Sequence, residues 1–238
     1  MPLRRFASMR KLNRYLIEIS IIIIGITISF GVQSHLKERE DNRKQVLAYE
    51  RIFEDLKQDR EYFSLAFENN EQQIKAAKSI VNGPLNQTNF NRIIPYYGTF
   101  FNDNTITSIM STGLLEDFEN RALINEILTY YRQDYDFLAD AVRFDEEIAL
   151  QNLLLIAKEA AIDSVSTTSI LRHQNESKTP IYSFGDSTAH GLTNNQNFVG
   201  LLQAKIWIKI HYNNFVENAL KRNLSISEGI QKELKALR

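Results

Sequence analysis

Tyr15 to Val32 reads YLIEISIIIIGITISFGV, with Glu18 its one charged group and no lysine or arginine until Lys37. At about 1.5 Å of rise per residue, these roughly 18 residues nearly cover a hydrocarbon core about 30 Å thick. Ile21–Ile24 and Ile28 place β-branched side chains all round the helix, whereas a soluble amphipathic helix keeps a polar stripe. The stretch therefore predicts a single membrane anchor. A removable signal peptide shares the basic leader (Arg4, Arg5, Arg10, Lys11, Arg14) but needs small residues after a short apolar core. The nearest match, Ser29-Phe30-Gly31, lies inside the apolar run, so a retained span is expected. Five basic residues before the span face four just after it (Lys37, Arg39, Arg43, Lys44), a small positive-inside bias. An N-terminal span behind a basic leader favours a cytoplasmic N-terminus and an extracytoplasmic bulk.

Glu18 carries two readings. A carboxylate within a span marks an ion or proton path when it is buried between helices. One turn in from Tyr15, and four residues after Arg14 on the same face, it can instead snorkel to the headgroups with Arg14 as partner. Gly25 and Ser29, four apart, are the candidates for close packing of two spans and hence for a homo-oligomer.

The chain has 238 residues, enough for this anchor and one domain of about 200. A formal net charge of -1 gives a nucleic-acid partner no electrostatic support. With no cysteine there are no disulfides, thiol nucleophiles or cysteine-bound metals. Nine glycines and four prolines favour long helices over a many-turned sheet.

The helical periodicity continues beyond the span. Val46, Tyr49, Phe53, Leu56, Phe63, Phe67, Ile74, Ala77 and Val81 fall on three- and four-residue steps, broken at Arg60 and Asn70. Asn82-Gly83-Pro84 ends the run, Gly as C-cap and Pro as breaker. Short helices are expected over 89–97, interrupted at Pro95, and over 105–112. A second long helix is expected over about 120–162 with Asn120 as N-cap; its stripe is Ile124, Ile127, Tyr131, Leu138, Val142, Ala149, Leu153 and Ile156. From about 163 to 195 Ser, Thr, Asn and Gly dominate, which reads as a long loop with a short extended piece at 181–184. A third long helix over about 196–237 carries Phe198, Leu201, Ile208, Tyr212, Phe215, Ala219, Ile226, Ile230 and Leu234. The predicted organisation is a basic leader (1–14), a transmembrane helix (15–34) and an all-α domain (35–238). Its long helices, over 35–81, 120–162 and 196–237, form an elongated antiparallel bundle with short helices beside them.

Glu18, Gly25, Ser29 and Gln33, followed by Glu38-Arg39, resemble the anchor of a family of uncharacterised bacterial single-pass membrane proteins, a domain of unknown function, that reads like GEIILVVIGILIALQ. Ser108-Ile109-Met110-Ser111-Thr112-Gly113-Leu114-Leu115, then Asn120, Leu123 and Tyr130-Tyr131, resemble that family's second shared stretch. The two matches cover about a third of the chain. This sequence departs from the usual anchor at Gly31, Gln33 and His35. The resemblance implies attachment to a bacterial inner membrane and helicity, and it implies no activity.

Catalytic motifs are weak. Ser183 to Gly191, SFGDSTAHG, resembles the nucleophile block of Gly-Asp-Ser hydrolases, which would make Ser187 the nucleophile. No Asp-x-x-His follows it, His211 falls in a helical stretch, and no strands are in place to build a sheet. His35, His173, His190 and His211 are scattered, and no Glu-x-x-His pair of a bundle metal site occurs. Asp134, Asp136 and Asp145-Glu146-Glu147 read as a solvated face. Tyr96-Tyr97, Phe100-Phe101 and Tyr130-Tyr131 read as packing aromatics, and Trp207 as an anchor between helices. No phosphate loop is present. The expectation is a membrane-anchored helical interaction or scaffold protein, with no catalytic residue, cofactor or metal and with an unidentified protein partner. The alternative is a membrane-anchored transducer or ion-coupled subunit that uses Glu18.

Overall fold

The computed structural model describes the backbone of residues 3–95, 101–159, 164–172 and 175–238, and the side chains of 19–95, 101–158, 164–166 and 181–238. Helix α1 (Leu3–Val81) is continuous for 79 residues, about 120 Å. Its apolar stretch and its bundle-forming half belong to one rod because no Gly or Pro interrupts the chain from Val32 to Val81. The helix is long and apolar enough near its N-terminus to cross a membrane. Packing against the rest of the chain begins near Gln45.

After Val81 the chain turns back. Asn82 N–H closes the last turn on the Lys78 carbonyl (3.1 Å), and Pro84 prevents continuation. The helix thus ends at Asn82-Gly83-Pro84 as expected; positive φ (73°) occurs at Gly113, in the turn after α3. Helices α2 (Gln87–Ile93) and α3 (Asn104–Ser111) and a 3-10 turn (Leu114–Asp117) descend along α1. Three side-chain bonds mark the descent: Gln73 donates to the Arg92 carbonyl (3.0 Å), Asn102 to Asp55 Oδ1 (3.1 Å) and Gln45 to the Asp117 carbonyl (2.8 Å). Helix α4 (Arg121–Thr129) then starts upward, capped by Asn120 Oδ1 accepting from Leu123 N–H (3.0 Å). It passes through a π-turn (Tyr130–Asp134) into α5 (Tyr135–Glu159). Helix α7 (Gln196–Leu237) returns antiparallel to both α1 and α5, its N-terminus capped by Asn195 Oδ1. Gly229 lets it pass close to α4, where a Cβ would meet Leu123 Cδ1 at 2.7 Å. The whole is an up-down-up-down bundle in which the second element is the broken one.

The long-loop expectation for 163–195 is corrected. Among its described residues, β1 (Ser164–Arg172) and β2 (Asn175–Ser183) form an antiparallel hairpin, and α6 (Asp186–Asn194) follows. Val165, Thr167, Thr168 and Ile170 oppose Tyr182, Pro180, Thr179 and Ser177. These β-branched residues satisfy a pleated pair, but the segment between the strands has neither Asn-Gly nor Asp-Gly, the usual hairpin signal. The side-chain amide of Asn91 also seats β2, donating to the Tyr182 carbonyl (2.9 Å) and accepting its N–H (2.7 Å).

The apolar core is in two parts. The lower one gathers Tyr49, Ile52, Leu56 and Phe63 of α1, Ile124, Ile127 and Leu138, and Tyr212, Val216, Ile226 and Ile230 of α7. The upper one gathers Ala76, Ala77, Ile80, Phe90, Ile93, Ile156, Phe198 and Leu202. Trp207 belongs to neither. It is 63% exposed, with its ring against His211, so it is not the anchor between helices that was expected. It falls between the buried positions Lys205 and Ile208–Lys209 but points off the buried stripe.

Candidate functional site

Each long helix has gaps in its apolar stripe, and the structure brings the gaps together. On α1 the stripe lapses at Asp59-Arg60 and Asn70, on α5 at Asp145, and on α7 at Lys205 and Asn223. All are buried except Arg60, which is half-buried. They assemble two polar layers about 11 residues apart along α1, or roughly 16 Å.

The lower layer is centred on Asp59. Tyr130 and Tyr135 both donate to its Oδ2, at 2.8 and 2.6 Å. The π-turn makes this convergence possible. Its wider winding brings residues five apart onto one face, where an α-helix aligns residues three or four apart. The two rings accordingly lie 5.3 Å apart. Asn223 then donates to the Tyr130 oxygen (3.1 Å) and to the Leu56 carbonyl (2.9 Å), and accepts from Arg60 (2.6 Å), which also reaches Ser227 Oγ (2.8 Å). Among the described residues Asp59 Oδ1 has no hydrogen-bond partner. Burial raises the Asp59 carboxyl to about 6 although both phenols oppose the shift, and the neighbouring Asp55 adds to it. Burial likewise raises Tyr130 and Tyr135 well above an ordinary phenol.

The upper layer sits where one apolar core stops and the other begins. Asp145 is enclosed between Lys205 Nζ (3.3 Å from Oδ1) and Lys209 Nζ (2.7 Å from Oδ2), all three side chains at most 1% exposed. At Oδ2 the contact is an ion pair without hydrogen-bond alignment. Lys209 also donates to Asn70 Oδ1 (2.7 Å), and Asn70 donates to Asn213 Oδ1 (2.9 Å). Two ammonium groups share one carboxylate, so burial wins: Lys209 is pulled down to about 8 and Lys205 is also lowered, with Asp145 opposing both shifts.

These layers correct the solvated-face reading of the acidic residues. Asp145 is buried in this ion triad, and Asp134 is buried against Arg222, whose Nε lies 3.0 Å from Asp134 Oδ2. Asp136, Glu146 and Glu147 are exposed. Asp145 is four residues from both Ala141 and Ala149, squarely on the buried stripe. That spacing was the available signal, and a charge in the slot disguised it.

The residues singled out from the sequence are otherwise dispersed. The Glu18 side chain, His173, Tyr96, Tyr97 and Phe100 lie outside the described residues. Gly25 and Ser29 are exposed on the apolar part of α1, and a Cβ at Gly25 would meet nothing within 4 Å. Ser187 and His190 are exposed on the same helix, α6, and His211 is exposed on α7. Among the described residues no hydrogen bond joins Ser187 to a histidine, and no three His, Asp or Glu side chains gather as metal ligands. No family model matches the chain, and no curated protein or solved structure matches it.

What the two layers can do chemically is hold charge away from water and fix alignment. A buried polar residue facing another across an interface penalises every register in which the two do not meet. Asp59 with its phenols and Asn70 with Lys209 lock the height of α1 against α4–α5 and α7.

Proposed function

We propose that this chain is a single-pass, membrane-anchored helical interaction protein without catalytic activity. Its N-terminus is cytoplasmic, and its bundle stands on the outer side of a bacterial inner membrane. The observation that carries this reading is the bare apolar stretch of α1 from Ile19 to Val32. Nine large apolar side chains from Ile19 to Val32, on all sides of α1, are each 51–68% exposed. Burying each of them in hydrocarbon is worth about 1.5–3 kcal/mol, which makes water an unsuitable solvent for this segment. The same helix enters the bundle without a break, so the domain is carried on a stiff rod rather than a flexible tether. The resemblance of Glu18, Gly25, Ser29 and Gln33 to a family of anchored bacterial proteins supports the same placement.

In-cell crosslinking of a C-terminally tagged full-length copy, followed by mass spectrometry, tests the interaction. One dominant non-self membrane or envelope protein is the expected result. Self-crosslinks alone would replace the adaptor with a homo-oligomer packed through Gly25 and Ser29.

One observation favours the transducer reading. Glu18 and the buried Asp59 and Asn70 lie on one uninterrupted helix, so displacement at the span would shift both polar layers. Replacing Glu18 with Gln separates the two readings: a scaffold keeps its crosslinks and phenotype, and an ion-coupled subunit loses them.

A further inference from the structure

Beside the π-turn, a groove of about 400 Å³ opens between α5 and α7, lined by Gln133, Asp134, Phe137, Phe215, Asn218 and Arg222, with Lys221 at its edge. Its volume is that of a small-molecule site, and π-turns concentrate at functional sites. We propose that this groove binds a small organic carboxylate bearing a flat ring, a role that goes beyond the scaffold reading.

Three features of the groove select that chemistry. First, Arg222 is charge-paired on one side only. Asp134 Oδ2 lies 3.0 Å from its Nε as an ion pair without hydrogen-bond alignment, and the described residues give Nη1 and Nη2 no partner. A guanidinium whose Nε side faces the buried carboxylate leaves its two terminal nitrogens as a fork for a bidentate carboxylate. Second, the charges do not cancel. Asp134 offsets one cation, and the exposed Lys221 leaves the groove with a net positive charge. Third, the apolar wall is flat. Phe137 and Phe215 are stacked with their rings 5.5 Å apart and 18° from parallel, yet Phe137 remains 45% exposed. An aromatic ring left half in water beside an idle guanidinium fork is a surface for a ring that carries a carboxylate. The exposed amides of Gln133 and Asn218 supply further hydrogen bonds around the rim.

The test uses the full-length chain in detergent micelles, with benzoate as probe and benzylamine as charge control, read by titration calorimetry and ligand-observed NMR. Benzoate is expected to bind saturably while benzylamine does not. Arg222→Lys keeps the charge beside Asp134 but loses the fork, and should weaken benzoate about tenfold or more. Phe137→Ala and Lys221→Met should each weaken binding severalfold; the exposed Lys221→Met leaves the thermal midpoint unmoved, and Phe137→Ala lowers it only by the loss of a half-buried ring. Absence of saturable benzoate binding, equal binding of benzylamine, or full affinity in both Arg222→Lys and Phe137→Ala would overturn the proposal. Saturable binding of hexaglutamate without benzoate would overturn it in favour of an acidic segment of a protein partner.

Discussion

Replacing Lys209 with Met should stabilise this protein at neutral pH, although Lys209 is among its most deeply buried and best-connected side chains. Its ammonium is shifted from 10.5 to about 8, so keeping it charged at pH 7 costs folding about 3 kcal/mol, taking each pKa unit as 1.36 kcal/mol. Met fills a similar volume, removes that cost, and leaves Asp145 with Lys205 as a one-to-one pair. Against this, Asn70 Oδ1 is left buried without that donor, a cost of about 1–3 kcal/mol, while its amide bond to Asn213 remains. The net expectation is up to about 2 kcal/mol of stabilisation, or a rise of up to about 8 °C in thermal midpoint for a chain of this size. Asp145→Asn is the opposing control. It strands two ammonium groups in the core and should cost about 3–5 kcal/mol. The pH dependence carries its own sign. Between pH 8 and 10.5 the folded state holds fewer protons at Lys209 than the unfolded chain, so the wild type gains stability as pH rises through that window. The Lys209→Met variant lacks that rise, and its advantage shrinks accordingly. Chemical denaturation of the full-length protein in detergent at pH 7 and 9.5 measures both effects. Destabilisation of Lys209→Met by more than about 2 kcal/mol, or a tolerated Asp145→Asn, would mean that burial of the second ammonium is not the dominant cost in this triad.

The same linkage applies to Asp59 with the opposite sign. Its folded value of about 6 lies above the ordinary 3.8, so the folded state holds the extra proton and stability falls as pH rises from about 4 to 6, by up to about 3 kcal/mol. Denaturation midpoints of Asp59→Asn against wild type across that range should differ by this slope, the variant gaining relative stability toward pH 7. Asn120→Ala removes both the cap on Leu123 N–H and the bond from Nδ2 to Glu233 (2.7 Å). A loss of about 1–2 kcal/mol is expected in the same assay.

The long helices were legible because their stripes repeat locally, as in Tyr49–Leu56–Phe63 and Tyr212–Ala219–Ile226. The polar layers were legible only as interruptions. Arg60 and Asn70 were visible as breaks, but nothing near them in sequence says that Asn223, Ser227, Lys209 and Asn213, between 139 and 167 residues away, complete their bonds. Asp145 was misjudged because charge outweighed its position on the stripe, and a carboxylate in a core needs a distant cation to be credible. The π-turn left no local mark, since Tyr130-Tyr131 and Tyr135 differ from α-helical spacing by a single residue. The hairpin was missed because its Ser- and Thr-rich strands resemble loop composition. The groove at Arg222 depends on which of that side chain's nitrogens Asp134 takes, a matter of geometry alone.

In the proposed placement, α1 crosses a membrane and carries the bundle on its outer side. Because the natural chain has no cysteine, single cysteines at Ser8 and Glu146 can report on the two sides in intact cells, using a membrane-impermeant maleimide. This topology predicts labelling of Glu146→Cys in intact spheroplasts and of Ser8→Cys only after lysis. Labelling of both before lysis, or of Ser8→Cys alone, would contradict it.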